Sequence, residues 1–252
     1  MIADYPKTEQ IPQLRELWKE AFGDTDAFLD AFFSLGFCQN RCRCITENGK
    51  VLSALYWFEV TCADSRYAYL YAVATAAASR GQGLFSMLLE DTRQLLMEEG
   101  FDGILLVPQT EALGRMYEKF GFFSCATVMC HQISAGAEKI AVREIGPESF
   151  RLLRRDMLPD GGVLQEGALL AFLASQCHFW AGEGWLATGQ IYDGKLVCQE
   201  FLGDPAAMQG LLRVLDVPEG EFRTAGNMRP FAWLLPLTDR CERPAYFALA
   251  LD

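Results

Sequence analysis

The stretch that most constrains this chain runs from Tyr67 to Leu96. From Tyr67 to Ala78 nearly every residue is apolar or aromatic, which suits a strand covered on both faces. Ser79-Arg80-Gly81-Gln82-Gly83 then supplies a cation and two residues without Cβ, so the backbone can turn sharply and admit a close ligand. Leu84, Met87, Leu88 and Leu95 follow on one helical face, and Gly100 marks where that helix stops. The first amides of such a helix have no partner inside it, and its macrodipole adds partial positive charge there. The turn is therefore a candidate phosphate cradle.

Gly-x-Gly alone is a weak signal, and a tight turn without a ligand would use the same residues. A Rossmann fingerprint requires a third glycine where Ser86 stands. A P-loop requires Gly-Lys-Ser/Thr, which is absent. The remaining reading is Arg-Gly-x-Gly at the end of a strand, and it depends on what surrounds it.

Upstream, Ile11, Leu14, Trp18 and Phe22 recur at helical spacing with Pro12 in the first turn. A second short helix starts near Asp24-Thr25-Asp26 and carries Phe28, Leu29, Phe32 and Phe33. Arg41 to Thr46 and Val51 to Cys62 read as strands joined over Asn48-Gly49, a hairpin signal. Tyr67 to Thr75 continues that meander. Gly103 to Val107 reads as a strand, Thr110 as the cap of a helix ending at Gly121, and Phe122 to Gln132 as further strand. Ala135-Gly136-Ala137-Glu138 is a small, polar boundary, which predicts domains over 1–134 and 139–252. Beyond it the pattern predicts helices over 147–158 and 166–179, a hairpin over Asp193-Gly194, a helix over 205–215, strands over 222–224 and 230–235, and a final strand over 245–251. Two helices, a hairpin, a helix and more strands repeat the order of the first half.

A chain of 252 residues, 51% of them hydrophobic, can bury one large or two small cores. Its net charge of −11 argues against a nucleic-acid partner or an anionic membrane surface, and is compatible with a cationic amine substrate. Nine cysteines in an unpaired scatter suggest reduced thiols in a cytoplasm. Cys42 with Cys44, Cys130 with His131 and Cys177 with His178 lack the further ligands a metal site needs, so no metal is expected. Met1-Ile2-Ala3-Asp4 has neither the basic region nor the apolar core of a signal peptide, and no run reaches the roughly 18 apolar residues of a membrane helix. The pattern specifies no oligomeric state.

Val73-Ala74-Thr75 followed by Arg80-Gly81-Gln82-Gly83-Leu84-Phe85 resembles the acyl-CoA pyrophosphate loop of the GNAT N-acetyltransferase superfamily. A second family segment follows in Leu105-Leu106-Val107-Pro108 and Tyr117-Glu118-Lys119-Phe120-Gly121-Phe122. The coarse repeat resembles a tandem GNAT of the enhanced-intracellular-survival type, without a counterpart to that family's sterol-carrier-like third domain. The fold this implies is α+β (α/β): a mixed, mostly antiparallel sheet with flanking helices, present twice. Gly203-Asp204-Pro205 stands where the second copy would carry its loop, so that copy is expected to be degenerate.

The resemblance implies acetyl-CoA as co-substrate and transfer of its acetyl group to the primary amine of a small acceptor. It assigns Val73 to Thr75 to the acetyl and pantetheine group and the amides of Gly81 to Phe85 to the pyrophosphate. Phe85 departs from the usual Gly or Ala. Tyr117 matches the family's general acid. Tyr67, Tyr69 and Tyr71 occupy the strand on which many relatives carry a glutamate base, which leaves Glu59 as the best carboxylate candidate. Phe28, Phe32 and Trp57 are the expected acceptor contacts, with core packing as their alternative. A non-catalytic acyl-CoA-binding or sensing module is the rival reading of the whole chain.

Overall fold

A strand order set by two hairpins organises the first half. In the computed structural model, which describes residues 2–250, the chain forms two compact units. The first comprises the residues up to Leu106 together with Leu235–Glu242. It contains β1 (Ala3–Asp4), α1 (Ile11–Phe22), α2 (Asp26–Ala31), β2 (Cys42–Glu47), β3 (Lys50–Cys62), β4 (Ser65–Thr75), α3 (Leu84–Glu98) and β5 (Gly103–Leu106). Pro12 sits in the first turn of α1, and Gly23 at φ 74° closes that helix by donating to the Lys19 carbonyl. The β2/β3 turn runs through Asn48 at φ 50° and Gly49 at φ 78°, the doubly positive geometry that Asn-Gly favours.

The strands lie in the order β1-β2-β3-β4-β5, antiparallel except for β4 with β5. Val51 to Phe58 are buried, so β3 is covered on both faces. Tyr56 and Phe58 pair with Tyr71 and Tyr69 on one face, where Trp18 of α1 packs 5.2 Å from the Tyr56 ring. The other face carries Arg43, opposite Leu55, and Arg43 donates at 2.8 Å to Asp91 of α3. The same guanidinium donates to the Ala3 carbonyl and lies over the Tyr5 ring, tying β1 to the unit. Asp102 holds the returning segment: its carboxylate accepts from Arg66 N–H, Thr238 Oγ1 and Arg240 Nε, while its carbonyl accepts from Leu237 N–H.

The second unit comprises Val107–Leu234 and the residues from Arg243 on. It contains α4 (Glu111–Glu118), β6 (Phe123–Ser134), β7 (Arg143–Glu144), α5 (Pro147–Met157), α6 (Gly167–Gln176), β8 (His178–Gly182), β9 (Trp185–Tyr192), β10 (Lys195–Gly203), α7 (Ala207–Val214), β11 (Glu219–Ala225) and β12 (Arg229–Pro236). Its strands run β12-β6-β11-β10-β9-β8-β7, with only β10 and β11 parallel. Trp180, Trp185, Phe201, Leu211 and Phe222 centre its core. Arg154 and Glu200 form a fully buried bidentate pair at 2.6 and 3.0 Å.

Each unit contains a hairpin, a crossover helix and a parallel strand: β3/β4, α3, β5 and then β9/β10, α7, β11. That is the duplicated α+β architecture expected from the layout. The contact partition is offset from the expected 134/139 boundary, because β6 pairs with β11 and β12 while Leu235–Glu242 returns to the first unit.

Two elements differ from expectation. The helix expected through Phe179 ends at Gln176; Cys177 is extended and residues from His178 pair with β9, burying Phe179 and Trp180. The expected strand over 245–251 is not a strand in its described part. Tyr246 to Ala250 are buried, but past a single parallel bridge between Tyr246 and Gly162 side chains hold the backbone: Gln165 donates to the Leu249 carbonyl and Arg223 to that of Ala248. Leu251 lies outside the described residues. No helix among the described residues is long and apolar enough to cross a membrane.

Candidate active site

The site is built where β4 leaves β5. The parallel pairing runs Tyr67 to Gly103, Ala68 to Ile104 and Tyr69 to Leu105, and the register ends there. On its other edge β4 slips against β3: Ala54 faces Ala74 and Tyr56 faces Tyr71, so two residues, Ala72 and Val73, oppose Leu55 alone. Ala72 takes φ 50°, an uncommon conformation for a non-glycine residue. A bulge of this kind leaves an extra residue outside the ladder and re-aims its neighbours' backbone groups. Ser53 fixes the strand beyond it, its hydroxyl lying 2.9 Å from both the Ala74 carbonyl and Thr75 Oγ1. Val73 and Thr75 are half-buried and Ala74 is buried.

The turn that follows is organised by backbone. Ala77 N–H donates at 2.7 Å to Glu20 of α1, and Arg80 Nε donates back to the Thr75 carbonyl at 3.1 Å. Gln82 reaches the Ala78 carbonyl at 3.4 Å. Gly81 and Gly83 both sit at φ 76°, and a Cβ built on either meets nothing within 4 Å. Their need is conformational, and the space beside them is open. Gly83 is the N-cap of α3 and no side chain caps that helix. Leu84 is buried and anchors the first turn, while Phe85 is half-buried. An open helix N-terminus reached over two left-handed glycines suits a diphosphate, and the strand bulge suits a carbonyl oxygen, so the residues present fit acetyl-CoA.

The corresponding place in the second unit is closed. Gly203 packs so tightly on Gly184 that a Cβ would lie 2.0 Å from the Gly184 carbonyl oxygen. Asp204 accepts from the Ala206 N–H at 2.9 Å, which sets a carboxylate in the turn just ahead of α7.

The structure brings Phe28 and Phe32 into one ring cluster, with Trp18 6.4 and 4.5 Å from them. It does not bring Trp57 there. Trp57 pairs with Leu70, one residue out of phase with Tyr56 and Phe58, and is buried on the opposite sheet face, so its expected acceptor contact is withdrawn. Glu59 shares that opposite face. Its carboxylate accepts two bonds from Arg66 at 2.8 and 3.0 Å and one from Arg41 at 2.9 Å. The Arg66 hydrogen bonds, and then the charges of Arg66 and Arg41, hold the carboxyl below its usual range despite partial burial. A carboxylate so engaged is a poor proton acceptor, and the base role expected for Glu59 does not fit its surroundings.

Tyr117, in the second unit, lies on α4, whose start is capped by Thr110 accepting from Leu113 N–H at 3.2 Å. The tyrosine is 9% exposed and packs edge-on to Phe122 at 5.5 Å. Burial pushes its hydroxyl up to about 12, so it stays protonated at neutral pH. Three contributors escaped the sequence reading. Ser53 carried a signal, as the one hydroxyl in the buried run Val51 to Leu55; Ala72 and Glu20 carried none.

A splayed strand pair, a bulge and an uncapped helix start give the first half the geometry of an acyltransferase fold. Residues 3–125 match the family model described as the acetyltransferase (GNAT) domain, and that part of the chain belongs to the GNAT superfamily. Three solved structures share the fold. A GCN5-related N-acetyltransferase from Anabaena variabilis superposes with a TM-score of 0.71 at 15% identity, over 94% of this chain and 72% of that one. One from Kribbella flavida gives 0.70 at 14%, over 92% and 70%. Eis1 from Mycobacterium abscessus gives 0.67 at 12%, over 94% and 74%. No curated protein matches the chain.

Proposed function

We propose that the protein is an acetyl-CoA-dependent N-acetyltransferase that acetylates the primary amine of a small, cationic acceptor by direct attack. The observation that carries this reading is the bulge at Ala72 and Val73, set where β4 parts from β5 and a short turn away from the open start of α3. When bound, acetyl-CoA supplies an activated acyl group: the amine nitrogen forms a bond to the carbonyl carbon, the carbon–sulfur bond breaks, and the proton lost by nitrogen balances the one gained by sulfur.

The chain's own residues bind and orient. Val73, Ala74 and Thr75 line the acetyl and pantetheine path and offer backbone donors to a carbonyl oxygen. Arg80, Gly81, Gln82, Gly83, Leu84 and Phe85 form the diphosphate turn, with α3 adding partial positive charge. Tyr117, kept protonated by burial, holds the proton for the departing sulfur. No protein base is assigned; the amine loses its proton to water. The GNAT repeats are read as 1–134 and 139–252, with donor binding confined to the first. Reduced cysteines fit a cytoplasmic setting.

The engaged state of Glu59 favours one other reading, a non-catalytic acyl-CoA-binding module. Calorimetry with acetyl-CoA, paired with an assay of thiol release over an amine panel, separates the two. Binding with amine-dependent release supports the enzyme, binding without release supports the module, and absence of binding sinks both.

A further inference from the structure

The chain between α2 and β2 is built in an unusual way. Phe32–Gly36 form a π-helical turn, closed by a bond of 2.8 Å from Phe37 N–H to the Phe32 carbonyl. Such turns are rare and concentrate at functional sites. Gly36 permits this one: a Cβ there would lie 3.1 Å from the Phe32 ring and 3.2 Å from that of Phe58. The turn gathers Phe32, Phe33 and Phe37 beside Trp18, Tyr56 and Tyr71, with centroids 4.5 Å apart for Trp18 and Phe32, 5.0 Å for Phe33 and Phe37, and 5.7 Å for Trp18 and Tyr71.

A closed core would bury all of these rings, yet Phe28, Phe33, Phe37 and Tyr71 are only half-buried, and Phe22 and Leu35 on the same helices are exposed. Tyr71 directly precedes Ala72, so the ring wall begins one residue from the bulge assigned to the acetyl group.

Charges around this wall are already paired. On α1, Glu16 lies 3.9 Å from Lys19 and Glu20 accepts from Ala77 N–H. Asp24 accepts from Trp18 Nε1 at 2.7 Å, Asp26 pairs with Lys19 and Asp30 with Arg15. Glu59 is held by two arginines on the opposite face. Among the described residues the charge placed over a ring of the wall is the Arg15 guanidinium, 5.3 Å from the Phe33 centroid and paired with Asp30.

We propose that this ring wall is the acceptor subsite and that the acceptor is a primary amine on an aromatic or branched aliphatic body with no second charge. Among the described residues, a polyamine or aminosugar carrying several ammonium groups would have to displace Lys19 or Arg15 from the carboxylates beside this wall. Ring faces bury an apolar body and desolvate the amine it carries. The same burial disfavours the ammonium form and so promotes the neutral nucleophile, which offsets the lack of a protein base. This narrows the function proposed above and rests on it.

The test uses the full chain, acetyl-CoA and a thiol-release assay with phenethylamine, isoamylamine, putrescine, spermidine and glucosamine. Phenethylamine should exceed spermidine in kcat/KM by at least about tenfold, equivalent to about 1.4 kcal/mol. Phe33→Ala should remove most of that preference through KM while acetyl-CoA affinity, read by calorimetry, is unchanged. Should Phe33→Ala fold poorly, Phe28→Leu tests the same wall. Preference for spermidine or glucosamine, or an unchanged preference in a folded variant, overturns the substrate class while leaving the transferase intact. Acetyl-CoA binding with no amine acetylated overturns the transferase and this inference together.

Discussion

Replacing Glu59 with Gln separates a structural carboxylate from a catalytic base. The wild-type side chain is 29% exposed and accepts two bonds from Arg66 and one from Arg41, whose side chains are 38% and 36% exposed. Pairs at this exposure are screened and contribute about 0.2–1 kcal/mol each. The fork from Arg66 lies toward the upper end of that range because two charge-assisted bonds share one geometry. Glutamine keeps one acceptor and loses the charge, so Glu59→Gln should cost roughly 1 kcal/mol at pH 7, or about 2–4 °C in Tm for a chain of this size.

The sign of the pH dependence follows from the direction of the shift. The folded carboxyl titrates below its ordinary value of 4.5. Its contribution is therefore present above pH 4.5 and is lost as pH falls through the lower, folded value. Tm measured for both proteins between pH 7 and pH 3 should converge at the acid end. Meanwhile kcat/KM with an accepted amine should stay within about twofold, whereas removal of a general base costs about 10²–10⁴-fold. A drop of a hundredfold in kcat/KM with equal melting curves would refute the structural assignment and restore Glu59 as the base.

At the donor turn, Gly83→Val forces a β-branched residue to φ 76° and crowds the open space beside it; acetyl-CoA binding should vanish in calorimetry while circular dichroism is retained. Arg80→Glu places a carboxylate at the same turn and should do likewise. Tyr117→Phe should keep acetyl-CoA affinity and lower kcat by about 10²-fold or more, which a pre-steady-state thiol-release trace would report. Titration should saturate at one acetyl-CoA per chain, because Gly203 is pressed onto Gly184 and Asp204 sets a negative charge ahead of α7. Arg154→Met leaves Glu200 buried without its partner and should cost about 3–5 kcal/mol, seen as early loss of the second unit in a urea melt.

What was legible in the sequence was whatever depends on a local backbone requirement. Asn48-Gly49 and Asp193-Gly194 mark their turns because both positions need positive φ, and the two glycines around Gln82 mark the donor turn for the same reason. Apolar spacing placed α1, α3 and α7 because one buried face is enough to define a helix. Long-range pairing stayed hidden. Nothing in His178-Phe179-Trp180 tells a strand from the end of an apolar helix until β9 lies beside it, and Ala72 shows no trace of its bulge. Glu59 looked available because Arg41 and Arg66 reach it only once β2, β3 and β4 lie side by side, and the sheet face that Trp57 joins is set by the same pairing. The buried Tyr246 to Ala250 read as a strand for a similar reason: burial was visible, but the side-chain partners Gln165 and Arg223 were not.

The proposed donor site distinguishes two copies that share one architecture. Architecture depends on the hairpin, the crossover helix and the parallel strand, and those persist in β9, β10, α7 and β11 because each buries apolar area: Phe201, Leu211, Leu212 and Phe222 are almost wholly enclosed. The donor site depends on something burial does not protect, an uncapped helix start and empty space above two glycines. In the first copy that space is kept open, with Arg80 folded back to Thr75 and Glu20 bracing Ala77. In the second, Gly203 is pressed onto Gly184 and Asp204 brings negative charge into the turn ahead of α7. An aspartate ahead of a helix start stabilises the helix by its charge, so where no ligand must be bound the change favours stability. The open turn at Gly81 and Gly83 forgoes that stabilisation, as expected of a turn whose negative charge is to come from a ligand.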